Sequence, residues 1–315
     1  MAELWFQVFP KNQADRDILV RGLRGAVHLE NIKGYETMLR GDPDNAAMHD
    51  DVALLYAQAG NYAKVAAHFA ETARIKPDSA VARYNMGLAL LNQGNAEDAG
   101  LHFQRALQMD PSYENAHRGL AIVLQRAGKI DEAAVSYRRA IQLAPDDMVA
   151  HHNLGVLLQG QGKFDEALTE YGEAVRVNAG DYEAHYAMGI LLRFQGKLAD
   201  AIAHDREALR SAPDRPALLI ELSWVLATAP DPTVRLPEEA VRLAERAAQV
   251  TRPQTFAVLD VLAAALAAAG RFDEAVSSAQ NALALATTAK DESATAQIRA
   301  RLALYQKRQP FREAR

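Results

Sequence analysis

Gly162-Lys163-Phe164-Asp165-Glu166-Ala167 lies near the middle of the chain, and close variants stand at Gly128-Lys129-Ile130-Asp131-Glu132-Ala133 and Gly270-Arg271-Phe272-Asp273-Glu274-Ala275. Each phrase reads as a turn between two helices. Glycine ends a first helix, where a left-handed residue is wanted. Asp and Glu then occupy the first turn of a second helix, where its dipole favours negative charge.

Working outward from these turns, a 34-residue period appears. Pro77, Pro111 and Pro145 share one slot, Ala179 takes the next, and Pro213 resumes it. Small residues keep step: Ala53, Gly87, Ala121, Gly155 and Gly189 in one column, Val65, Ala99, Ala133, Ala167 and Ala201 in another. Phe69, Phe103, Tyr137 and Tyr171 form an aromatic column that Asp205 breaks. Small residues let two helix axes approach to about 8–10 Å. The aromatic fills the gap between one helix pair and the next. Proline stops the second helix, because it lacks an N–H and clashes with a continued turn. Asp or Ser beside it can cap the following helix, as in Pro77-Asp78-Ser79 and Pro145-Asp146-Asp147.

A repeat of this length with these columns resembles the tetratricopeptide repeat (TPR) over roughly nine-tenths of the chain. The expected fold is all-α: a right-handed superhelical solenoid of about seven helix-turn-helix repeats with a C-terminal capping helix. The repeats are placed at 46–79, 80–113, 114–147, 148–181, 182–215, 216–254 and 255–286. The sixth carries an insertion, from Thr228 to Pro237. Residues 13–45 read as a degenerate helix pair, with Tyr35 and Pro43 at the aromatic and proline positions, and residues 287–315 as the capping helix and tail. The Ala-rich helix at 257–269 suits either the core or a self-association face.

Composition narrows the function. The chain has 315 residues, 49% of them hydrophobic and 24% charged, and a net charge of -5. Its pI is about 6.0. This is not the basic footprint of a nucleic-acid binder, and no nucleic-acid partner is expected. Cysteine is absent, which excludes disulfides, thiolate zinc sites and cysteine nucleophiles. The most apolar stretch, Phe256–Ala269, is interrupted by Asp260 and is shorter than the roughly 20 residues of a membrane span, so no membrane insertion is expected.

The resemblance also says where a protein or peptide ligand would bind. In TPR proteins, positions 2, 5, 6, 9, 12 and 13 of each repeat tend to face the concave groove. Here these positions supply Tyr84, Asn85, Arg118, Gln125, Arg126, His152, Asn153, Tyr186, Arg193 and Phe194 as candidate partner-binding residues. Tyr and Arg are frequent interface hot spots. Asn85 and Asn153 resemble part of the asparagine ladder of the O-linked N-acetylglucosamine transferase family, interrupted by Gly119 and Ala187. The carboxylate clamp of TPR domains that grip chaperone tails is not expected, since Asp50 and Leu54 stand at the first of its positions.

His49, His117, His151 and His185 recur at position 4 and invite a metal reading. Equivalent positions lie about 10 Å apart, too far for several nitrogens to reach within roughly 2.1 Å of one ion. Packing is the expected role. No phosphate loop, His-Glu-x-x-His or Gly-x-Ser-x-Gly is present. The expectation is therefore no catalysis, no metal and no cofactor.

The opening does not fit the period. Leu4-Trp5-Phe6-Gln7-Val8-Phe9 reads as a short strand within a segment 1–12. It resembles the last strand of copper type II, ascorbate-dependent monooxygenases, with Met1 at a copper-ligand place. That likeness implies a second function: an interaction arm of a larger, exported redox enzyme. A cytoplasmic setting is expected if the chain stands alone. The leading expectation is a protein-interaction scaffold.

Overall fold

The computed structural model describes residues 29–251 and 255–313, and every regular element among them is helical. The strand expected at 1–12 and residues 13–28 of the expected first helix pair lie outside the described residues. The chain divides into two compact units, Met1–Val177 and Asn178–Arg315.

In the first unit, α1 (Leu29–Gly41) precedes four hairpins. They are α2 (Ala46–Gln58) with α3 (Tyr62–Ile75), α4 (Ala80–Asn92) with α5 (Ala96–Met109), α6 (Glu114–Arg126) with α7 (Ile130–Leu143), and α8 (Met148–Gly160) with α9 (Phe164–Val177). Each helix packs on the next in chain order, and α4 also touches α6, the first helix of the following hairpin.

The helix starts are dictated locally. Side chains of Asn45, Asn61, Ser79 and Asn95 each accept the N–H three residues on, and Asp147 accepts two, satisfying donors that a helix leaves unpaired. The first helices end in a left-handed glycine such as Gly162, φ +74°.

The small and aromatic columns meet in the core. Phe103 on α5 lies between Gly87 on α4 and Gly119 on α6, and a Cβ added at either glycine would come within 2.8 Å of its ring. Gly155 stands against Tyr171 in the same way, at 2.8 Å. Burying a ring of this size stabilises by about 1.5–3 kcal/mol, so glycine at those contacts is set by volume.

The second unit holds α10 (Tyr182–Phe194) with α11 (Leu198–Ser211), α12 (Pro216–Thr228) with α13 (Pro237–Val250), α14 (Phe256–Ala268) with α15 (Phe272–Thr288), and a last helix α16 (Glu292–Gln306). The insertion is a loop with a 3-10 turn at Pro232–Val234, closed by the Leu236 N–H on the Leu226 carbonyl at 3.0 Å. Helix α14, which the sequence left between core and association face, buries Val258–Val261 and Ala263–Ala267. It packs against α12, α13, α15 and α16 and is the centre of this unit.

Candidate functional site

The expected binding surface is the face of the first helices, and the candidate residues on it separate into three groups. Tyr84 and Arg118, exposed by only 2% and 4%, belong to the interior of the first unit. Tyr84 lies edge-on to Tyr113, at 5.3 Å between ring centroids. The Arg118 guanidinium pairs with Asp147 and donates to Asn115 Oδ1 at 2.6 Å. Asp147 meanwhile caps α8 through the Val149 and Ala150 N–H groups. Arg118 thus ties α6 to the start of α8, and removing it would leave a buried carboxylate without its cation.

A second group is spent on holding the aromatic column. The Tyr137 hydroxyl donates to Gln125 Oε1 at 2.9 Å, with the Asn153 side chain close to the same hydroxyl. Tyr171 donates to Gln159 at 2.8 Å. The equivalent place in the second unit holds Asp205, whose partner is Arg193 at the position of the two glutamines. Arg193 also reaches Glu221 Oε2 at 2.7 Å, and Tyr186 donates to Glu221 Oε1 at 2.9 Å. Burial pushes the Asp205 carboxyl up to about 6; Arg193 opposes the rise and Glu221 adds to it. Gly189 makes room for this carboxylate, since a Cβ there would meet Asp205 Oδ1 at 2.2 Å. The gap in the asparagine ladder has the same kind of cause: Gly119 is the space in which Phe103 sits.

The third group remains accessible. Arg126 is exposed, Asn85 and His152 are half-buried, and Phe194 is 73% exposed. His152 stands edge-on to Tyr171 at 5.6 Å. Arg126 and Phe194 occupy the same repeat position at the ends of α6 and α10.

The position-4 histidines act within the fold. Nε2 of His49, His117 and His151 each faces the carbonyl of the proline six residues earlier, at 3.0–3.1 Å. A carbonyl accepts only, so Nε2 carries the proton, and Nδ1 of a neutral ring is left to accept. At His49 it faces Nδ1 of His68, which donates; at His185 Nδ1 faces His204; at His151 it faces the Glu170 carboxylate, which also only accepts, so that ring makes both contacts when it carries both protons. Histidine and proline columns therefore recur together for a reason, which periodicity alone did not show. Among the described residues no three metal-ligating side chains converge, and no helix is long and apolar enough to cross a membrane.

Comparison with known proteins agrees with this architecture. Tetratricopeptide-repeat models match residues 80–113, 152–216 and 258–293, and a TPR-repeat model matches 126–162. No curated protein matches the chain in sequence. Among solved structures, PilF of Pseudomonas aeruginosa is 23% identical, with a TM-score of 0.57 over 70% of this chain and 96% of its own. YrrB, described as a TPR protein with an unusual peptide-binding site, is 20% identical over 62% of this chain and 97% of its own, with a TM-score of 0.46. MamA is 18% identical over 50% of this chain and 92% of its own, also at 0.46. Consecutive helix hairpins, the 34-residue columns and the matching family models together make this chain a member of the tetratricopeptide-repeat family.

Proposed function

We propose that the chain is a protein-interaction scaffold that holds a partner protein or peptide on the faces of its first helices, by binding and without catalysis. The observation that carries this reading is the pair of large side chains left open at one repeat position, Arg126 and the 73%-exposed Phe194. A folded chain has little reason to leave a phenylalanine that open, and aromatic and arginine side chains are the usual anchors of interfaces. Asn85 and His152 in the first unit and Tyr186 in the second would add polar contacts; Asn85 and Asn153 suit the backbone of an extended peptide. Tyr84, Arg118, Gln125 and Arg193 would support the surface from beneath.

Affinity capture from source cells tests it. Arg126→Glu and Phe194→Ala should each remove the captured partner, while Arg139→Ala, on an exposed part of α7, should not. Retention of the same partner by both groove variants would overturn the reading.

A further inference from the structure

The end of α12 is built unlike the ends of its counterparts. After α8, α10 and α14, a glycine N–H closes the helix: Gly162 donates to the Gln159 carbonyl, Gly196 to Arg193, and Gly270 to Ala267. Counting 34 residues on from Gly162 and Gly196 reaches Pro230, which has no N–H to give. The Ala227 carbonyl, equivalent to those of Gln159 and Arg193, is thereby left for another donor, with the Thr228 carbonyl beside it.

The donors come from the segment after α16. Arg312 Nη1 reaches the Ala227 carbonyl at 2.9 Å, and the Glu313 N–H reaches the Thr228 carbonyl at 2.9 Å. Trp224 Nε1 donates to Glu313 Oε1 at 2.6 Å. Phe311 lies against Trp224 with ring centroids 5.8 Å apart. The Arg301 guanidinium covers both rings, 5.3 Å from Trp224 and 5.6 Å from Phe311.

The receiving half of this contact is rigid. Arg301 is held by a bidentate, buried pair with Asp260 at 3.0 and 2.6 Å, and Trp224 stands on a helix packed against α13 and α14. The donating half is an extended stretch, returned by a turn in which Arg308 takes φ +57°, a conformation side chains rarely adopt. Its contacts need only an aromatic ring, a guanidinium, one backbone N–H and a carboxylate in succession. A cleft of about 910 Å³ opens beside Glu313, between the Gly196–Asp200 turn and the Ala229–Val234 loop.

We propose that the C-terminal end of α12 is a docking site for an extended peptide of the order aromatic–arginine–acid, with the chain's own Phe311–Glu313 as its resident occupant. A partner segment of the same chemistry displaces that occupant. The site rests on the scaffold reading but names a ligand class, and its test uses neither Arg126 nor Phe194, so either can fail alone.

The probe is a fluorescent synthetic peptide with the sequence of residues 309–315, added to the full chain and read by anisotropy. Phe311→Ala and, separately, Glu313→Lys vacate the site. Each should bind the peptide at least about tenfold more tightly than the unaltered chain, because a competing occupant lowers apparent affinity by the fraction of open sites. Adding Trp224→Ala to either should abolish that gain. Glu313 is exposed, so its variant keeps the test decisive if Phe311→Ala loses its helical circular dichroism. Folded variants that bind no better than the unaltered chain, or binding indifferent to Trp224→Ala, would show a structural staple and overturn the proposal.

Discussion

In the hairpin α6–α7 the space between helices is filled by Tyr137, with Gln125 and Asn153 on its hydroxyl. In α10–α11 the equivalent space holds Asp205, paired with Arg193, which is shared with Glu221. The same three repeat positions carry a neutral aromatic set in one unit and a charged set in the other. One step earlier, Leu91, Phe103 and Gly119 fill them with apolar and small groups. The fold demands volume and mutual satisfaction at these places, and leaves the chemistry open. The charged version is the costly one, since ions lose hydration on burial that their attraction only partly returns.

The largest way to break the charged set is to remove its cation. Arg193→Gln should cost up to about 3–5 kcal/mol above neutral pH, where Asp205, 1% exposed, is ionised without its partner, and less near neutrality, where the carboxyl takes up a proton instead. Urea unfolding followed by circular dichroism would show it; a loss under about 1 kcal/mol would mean Asp205 is neutral or hydrated.

Converting one set into the other sharpens the comparison. The triple variant Arg193→Gln, Asp205→Tyr, Glu221→Asn should recover most of that loss, since it exchanges the buried charges for the neutral, hydrogen-bonded set that α6–α7 already holds. A triple variant no better than Arg193→Gln alone would mean the polar set serves a need that packing cannot meet.

The carboxyl of Asp205 also makes a pH prediction. Its folded value of about 6 lies above the ordinary 3.8, so the folded state holds its proton more tightly. That contribution is complete below about pH 4 and is lost as pH rises toward 6. Melting curves should show stability falling by something of order 2 kcal/mol across that window, against an Asp205→Asn reference. Parallel curves for the two proteins would refute the shift.

The smallest effect separates two histidine pairs. His151 is buried, which lowers its pKa, but the Glu170 carboxylate, the Pro145 carbonyl and Glu173 together raise it above the usual value. His204 goes the other way, lowered by burial and by His185. The His151 pair should therefore be strongest below the usual histidine range and weaken above it, and the His185–His204 pair should weaken on acidification. NMR titration of the two rings should give His151 the higher midpoint; equal midpoints would contradict both environments.

Much of the architecture is legible in the sequence, for a specific reason. A 34-residue repeat states each structural demand several times, so Gly162, Pro145 and Tyr171 are legible as turn, stop and filler through their copies. The candidate binding residues were less legible. Groove positions follow from register, and register says which helix face a residue lies on but not what stands opposite. Tyr84 and Arg118 lie on the expected face yet are covered, because Tyr113 and Asp147 reach across to them. Asp205 looked like a break in a column; Arg193, twelve residues before it at the place of Gln125 and Gln159, was the signal that it is a matched substitution.

The sequence by itself determined the helices, their hairpin pairing and the places where volume is tight. Those follow from caps, turn glycines and short-range periodicity, which act within one repeat. Only the tertiary structure decided which polar groups are spent inside the fold and that Phe311–Glu313 returns to the end of α12. The longer of these contacts, Arg118 with Asp147 and Trp224 with Glu313, join residues 29 and 89 positions apart, and nothing local encodes them. Pro230 shows the division: its missing N–H is plain in the sequence, but the donor that answers for it is found only where the chain comes back.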